Sequence, residues 1–293
     1  MPNDPLAGGV VPDRVFYATG VLLDAEDFLD EQTYHRGRLA RALGYLYGSG
    51  TVAGLRVEVR PQNEDPDEEL VIHPGLAIDR IGRMIEVPAA RCMRLRNWFD
   101  NQVSEHADDL TQAHKTNAEQ LLSPAAAEGV SPLAGFVADL FVHFRDCERG
   151  KTPAFANGPF DAIDAVQPSR IRDSAEFELR LRIDALTPAD PKLPRNEWPD
   201  LSGLNDMDAR RRALQDQVLD SWHEGTDARD RGGITPAVEH LAVQDYTSVF
   251  ITRLIFPAAG ASPPSRAPGT IIVDNYSRKF IYPAPGLARL LTL

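Results

Sequence analysis

The chain has 293 residues, of which 43% are apolar and 25% charged, with a net charge of −12 and two cysteines. That size allows one large domain or two ordinary ones. The acidic balance argues against nucleic acid as the main partner, and no apolar run approaches the roughly 18–20 residues of a membrane span. The first residues, MPNDPLAGGVVPDR, lack a basic start and an apolar stretch, so no signal peptide is expected and synthesis is placed in the cytoplasm. Cys92 and Cys147 show no metal-ligand spacing and are expected to be small buried hydrophobes.

Residues 1–14 read as an extended arm, because Pro2, Pro5, Gly8, Gly9 and Pro12 deny it regular structure. Asp24 is an N-cap, Glu26 and Asp27 favour the exposed N–H groups of a first turn, and Gly48 and Gly50 stop a helix near Tyr47. Phe28, Gln32, His35, Leu39, Ala42 and Leu46 recur along it at spacings of four and three. This heptad-like seam fits a helix packed on its own domain, or a subunit interface whose polar members set the register.

Gly48 to Gly54 reads as a tight helix-to-strand connection. Its glycine spacing is wrong for a phosphate loop and the Lys-Ser/Thr is missing. Leu55, Val57 and Val59 alternate with charged residues, as in a half-buried strand. After the acidic segment 62–69, strands over 70–78 and 84–87 flank a turn at Asp79–Arg83, where Gly82 supplies positive φ. Leu110, His114, Ala118, Leu121 and Leu122 suggest one helix within 97–131, ended by Ser123-Pro124.

Residues 135–145 form an apolar strand covered on both faces. Phe177, Leu179, Leu181 and Ile183 alternate with Glu178, Arg180 and Arg182 as a strand with one wet face, after a long loop at 149–170. Prolines 188, 191, 194 and 199 mark a linker. A helix over 206–223 follows, with Met207, Leu214, Val218 and Trp222 inward, and strands close the chain at 248–256, 270–273 and 278–282. The expected class is α+β: an N-terminal arm and long helix packed on antiparallel β-rich modules. The segments are an arm (1–14), a helix plus hairpin module (15–134), a β module (135–186), a linker with an amphipathic helix (187–235) and a C-terminal β segment (236–293).

Chemistry is hard to place on this sequence. Glu31 and His35 are one turn apart, but the paired Glu-x-x-His of a di-metal bundle is missing, so a surface or interface hydrogen bond is expected. The acidic segment lacks the ligand alternation and central glycine of a calcium loop. The seven histidines form no H-E-x-x-H or other recognisable pairing. No catalytic, cofactor or metal residue is assigned, and the chain is not expected to be an enzyme.

Several short motifs carry a resemblance. Phe16-Tyr17-x-Thr19-Gly20-x-Leu22-Leu23, Ala25-Glu26-Asp27-Phe28, Glu31-Gln32-x-Tyr34-His35, Gly54-Leu55-x-Val57, Pro74-Gly75-Leu76-Ala77-Ile78-Asp79 with Gly82, and Ser169-Arg170-Ile171-Arg172-Asp173 resemble a family of poorly characterised proteins. These are encoded with phage-tail-like contractile injection systems and tailed-phage baseplates. The hairpin LVIHPGLAIDRIGRMIEVP is similar to adaptor modules at the base of phage tail fibres, and TSVFITRLIF followed by IIVDNYSRKFIY to the end of such a module. The likeness covers roughly residues 15–100 and 135–185, with 245–283 less fully, and gives 187–235 no counterpart.

It implies a structural component of a virion or injection particle, at the baseplate or a fibre or spike attachment point. Baseplate, tail or fibre proteins would be its partners, and it would form a homo-oligomer within the particle. Interface residues are expected at Phe16, Tyr17, Phe28, Gln32, His35 and Leu39. Two rival readings stand beside this one: a glycan- or receptor-binding module using Trp98, Trp198, Trp222 and tyrosines, and a particle-associated hydrolase.

Overall fold

Asp24 and Gly48 bound the first helix as expected, and the rest of the N-terminal half is a set of short antiparallel strands laid against it. The computed structural model describes residues 4–8, 13–60, 68–153, 166–196, 198–221, 235–260 and 264–290. After a 3-10 turn at Pro5–Gly8 come α1 (Ala25–Tyr47), β1 (Gly50–Gly54), β2 (Val57–Arg60), β3 (Glu69–Ile72), β4 (Gly75–Ile78), β5 (Met84–Val87) and β6 (Arg91–Arg94). Then follow α2 (Leu95–Glu105), α3 (Ala107–Ala113), β7 (His114–Lys115), a 3-10 turn at Ala118–Leu121, α4 (Pro124–Ala127), β8 (Gly135–Pro153) and β9 (Val166–Leu181). The chain ends with α5 (Met207–Asp220), β10 (Val249–Ala259), β11 (Ser265–Arg266), β12 (Ile272–Asp274) and α6 (Ala284–Leu290). All named ladders are antiparallel, and the class is α+β.

Two small sheets share one kinked pair of chains. β1 pairs with β4 and β2 with β3, so the ladder crosses from the first sheet (β1-β4-β5) to the second (β2-β3-β6) at Gly54 and Gly75. A Cβ at Gly75 would lie 2.4 Å from the Ala53 carbonyl oxygen, which explains the glycine. Buried Leu55, at φ 55°, turns the corner there. The expected strands at 55–59 and 70–78 are therefore broken, and Gly50–Gly54, read as a connection, is itself a strand.

The third sheet has the order β11-β10-β8-β7, with β9 also on β8 and β12 on β10. The core lies under it. Phe136, Leu140, Val142, Leu254 and Phe256 pack with Leu55, Leu70, Ile72, Ile85 and Leu95 in a single apolar cluster. Strands from 135–186 and 236–293, read as separate modules, thus lie side by side over one core. Trp98 closes it, stacked on Phe256 with ring centroids 5.4 Å apart and donating from Nε1 to the Leu179 carbonyl at 3.1 Å.

Other expectations are corrected. The single helix within 97–131 is three helices, a two-residue strand and a 3-10 turn. The first break falls at His106, whose φ and ψ of −137° and 41° leave the helical region. The loop expected at 149–170 is strand on both sides, since the β8–β9 ladder runs out to Pro153 and Val166; residues 154–165 lie outside the described residues. α5 forms behind its Asp206 cap but buries none of its residues; Met207 is 68% and Val218 58% exposed, and Trp222 lies outside the described residues. No strand forms at 278–282, where only Phe280 bridges to Thr51, and α6 was not foreseen. Both cysteines are exposed. Arg182, placed on a wet face, is fully buried, and Ile183 is exposed beyond the strand end.

Candidate docking surface

The first helix is held by one face and offers the other. Asp24 Oδ1 accepts from the Glu26 and Asp27 backbone N–H groups at 2.8 and 3.1 Å. Asp27 Oδ2 in turn accepts from the Asp24 N–H at 3.0 Å, a reciprocal cap. Thr33, Gly37, Ala40 and Gly44 fall on one stripe at spacings of four and three, and this small-residue stripe faces the domain. Thr33 and Ala40 are buried, Gly37 meets Leu6, and Gly44 lies against Gly82 of the β4–β5 turn. Small residues let the helix backbone sit on the turn: a Cβ at Gly82, whose φ is 86°, would come 1.7 Å from the Ala40 carbonyl oxygen.

A charged knot ties the turn, the arm and the helix together. Asp79 accepts from the Ile81 and Arg83 backbone N–H groups at 3.0 and 2.8 Å and from Arg83 Nε at 2.7 Å. Arg83 also donates to Asp4 at 2.9 Å and to the Thr247 hydroxyl at 3.1 Å, and Arg36 of α1 pairs with Asp4 at 3.2 Å. Burial works against the Arg83 charge, but the Asp79 and Asp4 carboxylates outweigh it and raise its pKa. Asp4 and Leu6 are themselves buried. Residues 1–14 were expected to lack regular structure; within them Pro5–Gly8 form a 3-10 turn whose Leu6 packs with Ala40 and Ile81.

Among the described residues, the six seam residues on the opposite face of α1 pack on no other element. At about 100° per residue the expected seam lies about 150° from the small-residue stripe. All six seam residues are exposed, with Phe28 at 52%, Leu39 at 52% and Leu46 at 73%. Glu31 and His35 pair on this surface at 3.6 Å, beyond hydrogen-bond distance. The reading in which the seam packs on its own domain is corrected: size, not hydrophobicity, decides which side faces in. Continuous with the seam runs the non-helical segment 13–24, with Phe16 80%, Tyr17 49%, Val21 53% and Leu22 95% exposed. Phe16, Tyr17, Phe28, Gln32, His35 and Leu39 thus lie on one stretch of exposed chain and helix.

A second polar cluster was not visible in the sequence. His143 of β8 lies 2.9 Å from Glu178 of β9 and 3.4 Å from Asp245, and Arg145 is 3.6 Å from Asp245. Burial opposes the imidazolium, but the two carboxylates outweigh it and raise the His143 pKa. Burial also opposes the Asp245 charge, but the His143 ring at 3.4 Å and hydrogen bonds from the Thr247 N–H and hydroxyl hold that carboxyl well below its ordinary range. His240, by contrast, is pushed down to about 4 by burial, and its neutral ring accepts from the Ala237 N–H and donates to the Ser248 carbonyl. With His143 only 2% exposed, this cluster braces the 235–248 segment through Asp245.

Under the sheet, Arg253 forms a bidentate pair with Asp139 at 2.8 and 2.9 Å and donates to the Leu121 and Pro191 carbonyls. A lone Asp in one apolar strand and a lone Arg in another were the available signal. Among the described residues, no group of three or more His, Cys, Asp or Glu could hold a metal ion, and no helix is long and apolar enough to cross a membrane. Trp198 is 52% exposed, whereas Trp98 belongs to the core. No protein-family model matches this chain, and no curated protein matches it.

Proposed function

We propose that this chain is a structural component of a phage tail or contractile injection particle, at the baseplate or a fibre or spike attachment point, working by protein–protein docking. One observation carries the reading: the exposed apolar surface that runs from Phe16 along the segment 13–24 and the outer face of α1 to Leu46. An apolar side chain of this size gains about 1.5–3 kcal/mol when buried, so Phe28, Leu39 and Leu46 forgo much of that in the single chain. Contiguous patches of this kind mark interaction sites. The helix beneath is pinned by the Gly82 contact and the Asp4–Arg83–Asp79 knot, so it presents the patch without rearranging. The resemblance of the motifs between Phe16 and His35 to particle-associated proteins supports the same reading, because these motifs lie on this surface.

The test is particle assembly with a variant in which Phe28, Leu39 and Leu46 are all changed to Asp. The variant should fold and fail to enter particles. Incorporation at the wild-type level would refute the docking role.

A further inference from the structure

The β8–β9 ladder extends well past the core. Its register runs from Ala138↔Leu181 to Pro153↔Val166, yet β10 accompanies β8 only as far as Val142. From Cys147 to Pro153 and from Val166 to Asp173 every residue is exposed. The result is a two-stranded ribbon, about 27 Å long from Arg145 to Pro153 at ~3.4 Å per residue. Two strands alone in water are marginally stable, so a ribbon this long gains from a partner.

Its two faces differ in charge. Residues directly opposite in an antiparallel pair share a face, and alternate residues along a strand do too. Arg149↔Arg170, Cys147↔Arg172 and Lys151↔Pro168 therefore put Arg149, Lys151, Arg170 and Arg172 on one side. No carboxylate is on that side over this length; Asp146, Asp173 and Glu148 are on the other. Among the described residues none of the four cations has an ion-pair partner. Arg149 and Arg170 face each other directly, an arrangement that costs stability until an anionic surface covers it.

A net charge of −12 opposes association of two copies at long range, but within a Debye length local complementarity decides, and each copy carries an acidic patch that can meet this face. The densest acidic stretch among the described residues is the start of α1, where Asp24, Glu26 and Asp30 are exposed and Asp27 and Glu31 half-buried within two turns, with no cation among them. From Asp24 to Glu31 it spans about 10 Å at ~1.5 Å per residue, comparable to the reach of the four cations along the ribbon. We infer that the basic face of the β8–β9 ribbon of one copy docks on the acidic first turns of α1 of a second copy. This head-to-tail contact uses different surfaces on the two chains and so builds a ring or a file. It goes beyond the docking role, since it concerns the isolated protein and names the partner.

The experiment measures the oligomeric state of the full chain by mass photometry and analytical ultracentrifugation at low and high salt. Oligomers at low salt that dissociate at high salt are expected, because exposed charges drive the contact. The quadruple variant R149E/K151E/R170E/R172E should be monomeric with an unchanged far-UV circular dichroism spectrum. So should E26K/D30K/E31K, and mixing the two variants should restore association. A monomeric wild-type protein at low salt, reversal variants that still associate, or a ribbon that binds duplex DNA without self-association would overturn the inference. Particle entry of the Phe28/Leu39/Leu46 variant is a separate readout, so the two readings fail independently.

Discussion

Gly82 and Ala40 meet backbone to backbone: the turn between β4 and β5 rests on the carbonyl of the helix with no side chain between them. This contact sets how far α1 stands from the sheets, and hence where its outer face points. Gly82→Ala combines a strained φ of 86° with a collision against fixed backbone. It should cost about 3 kcal/mol or more. Chemical denaturation of the purified variant checks this; a loss typical of a surface site would mean that the helix rides up freely.

The Asp139–Arg253 pair makes a similar demand inside the sheet. Arg253→Met leaves a buried carboxylate without its bidentate partner and abandons two carbonyls. A loss of about 3–5 kcal/mol is expected. Changing both residues to apolar ones of similar volume should recover only part of it, because the buried Arg182 also faces Asp139 at 3.4 Å; equilibrium unfolding of the two variants would show this.

His143 gives the fold a pH dependence of definite sign. Its folded pKa lies above the unfolded value, so its contribution is complete below about pH 6.5 and is lost as pH rises through the folded value. Asp245 works in the opposite sense: depressed in the fold, it stabilises above its ordinary value of 3.8 and loses that contribution as pH falls through the folded one. Glu178, Arg145 and Thr247 complete the surroundings. The melting temperature of the wild type should decline as pH rises above about 6.5, and His143→Gln should flatten that decline. An identical slope in both proteins would remove His143 from the account.

The exposed face of α1 should be almost silent in stability. Leu39→Ser and Leu46→Ser are each expected to change it by less than about 0.5 kcal/mol, because neither side chain touches the core. Asp24→Ala, at the start of the same helix, should cost about 1 kcal/mol through the lost cap. Circular dichroism melts distinguish the two effects on one element.

The boundaries of α1 were legible because Asp24 and Gly48 act locally: a cap and a positive φ need no distant partner. Its orientation was not, since hydrophobicity marks the seam while the packing contact is made by Thr33, Gly37, Ala40 and Gly44. The Asp79–Arg83 turn was readable for the same local reason as the cap. The His143 cluster was hidden, because Asp245 comes to it from a segment about a hundred residues downstream. The ribbon was misread for a third reason. Gly150, Pro153 and Pro168 look like loop residues, but a strand with an open edge tolerates proline, and Gly150 adopts a φ of 67° within the ladder.

Because β8 runs without interruption from within the sheet to Pro153, a tug at Pro153 along the strand acts parallel to the strands. The rungs joining β8 to β10 lie across that direction, so they bear the tension together instead of parting one after another. Geometry alone therefore makes this projection suited to transmitting force into the interior rather than peeling away from it.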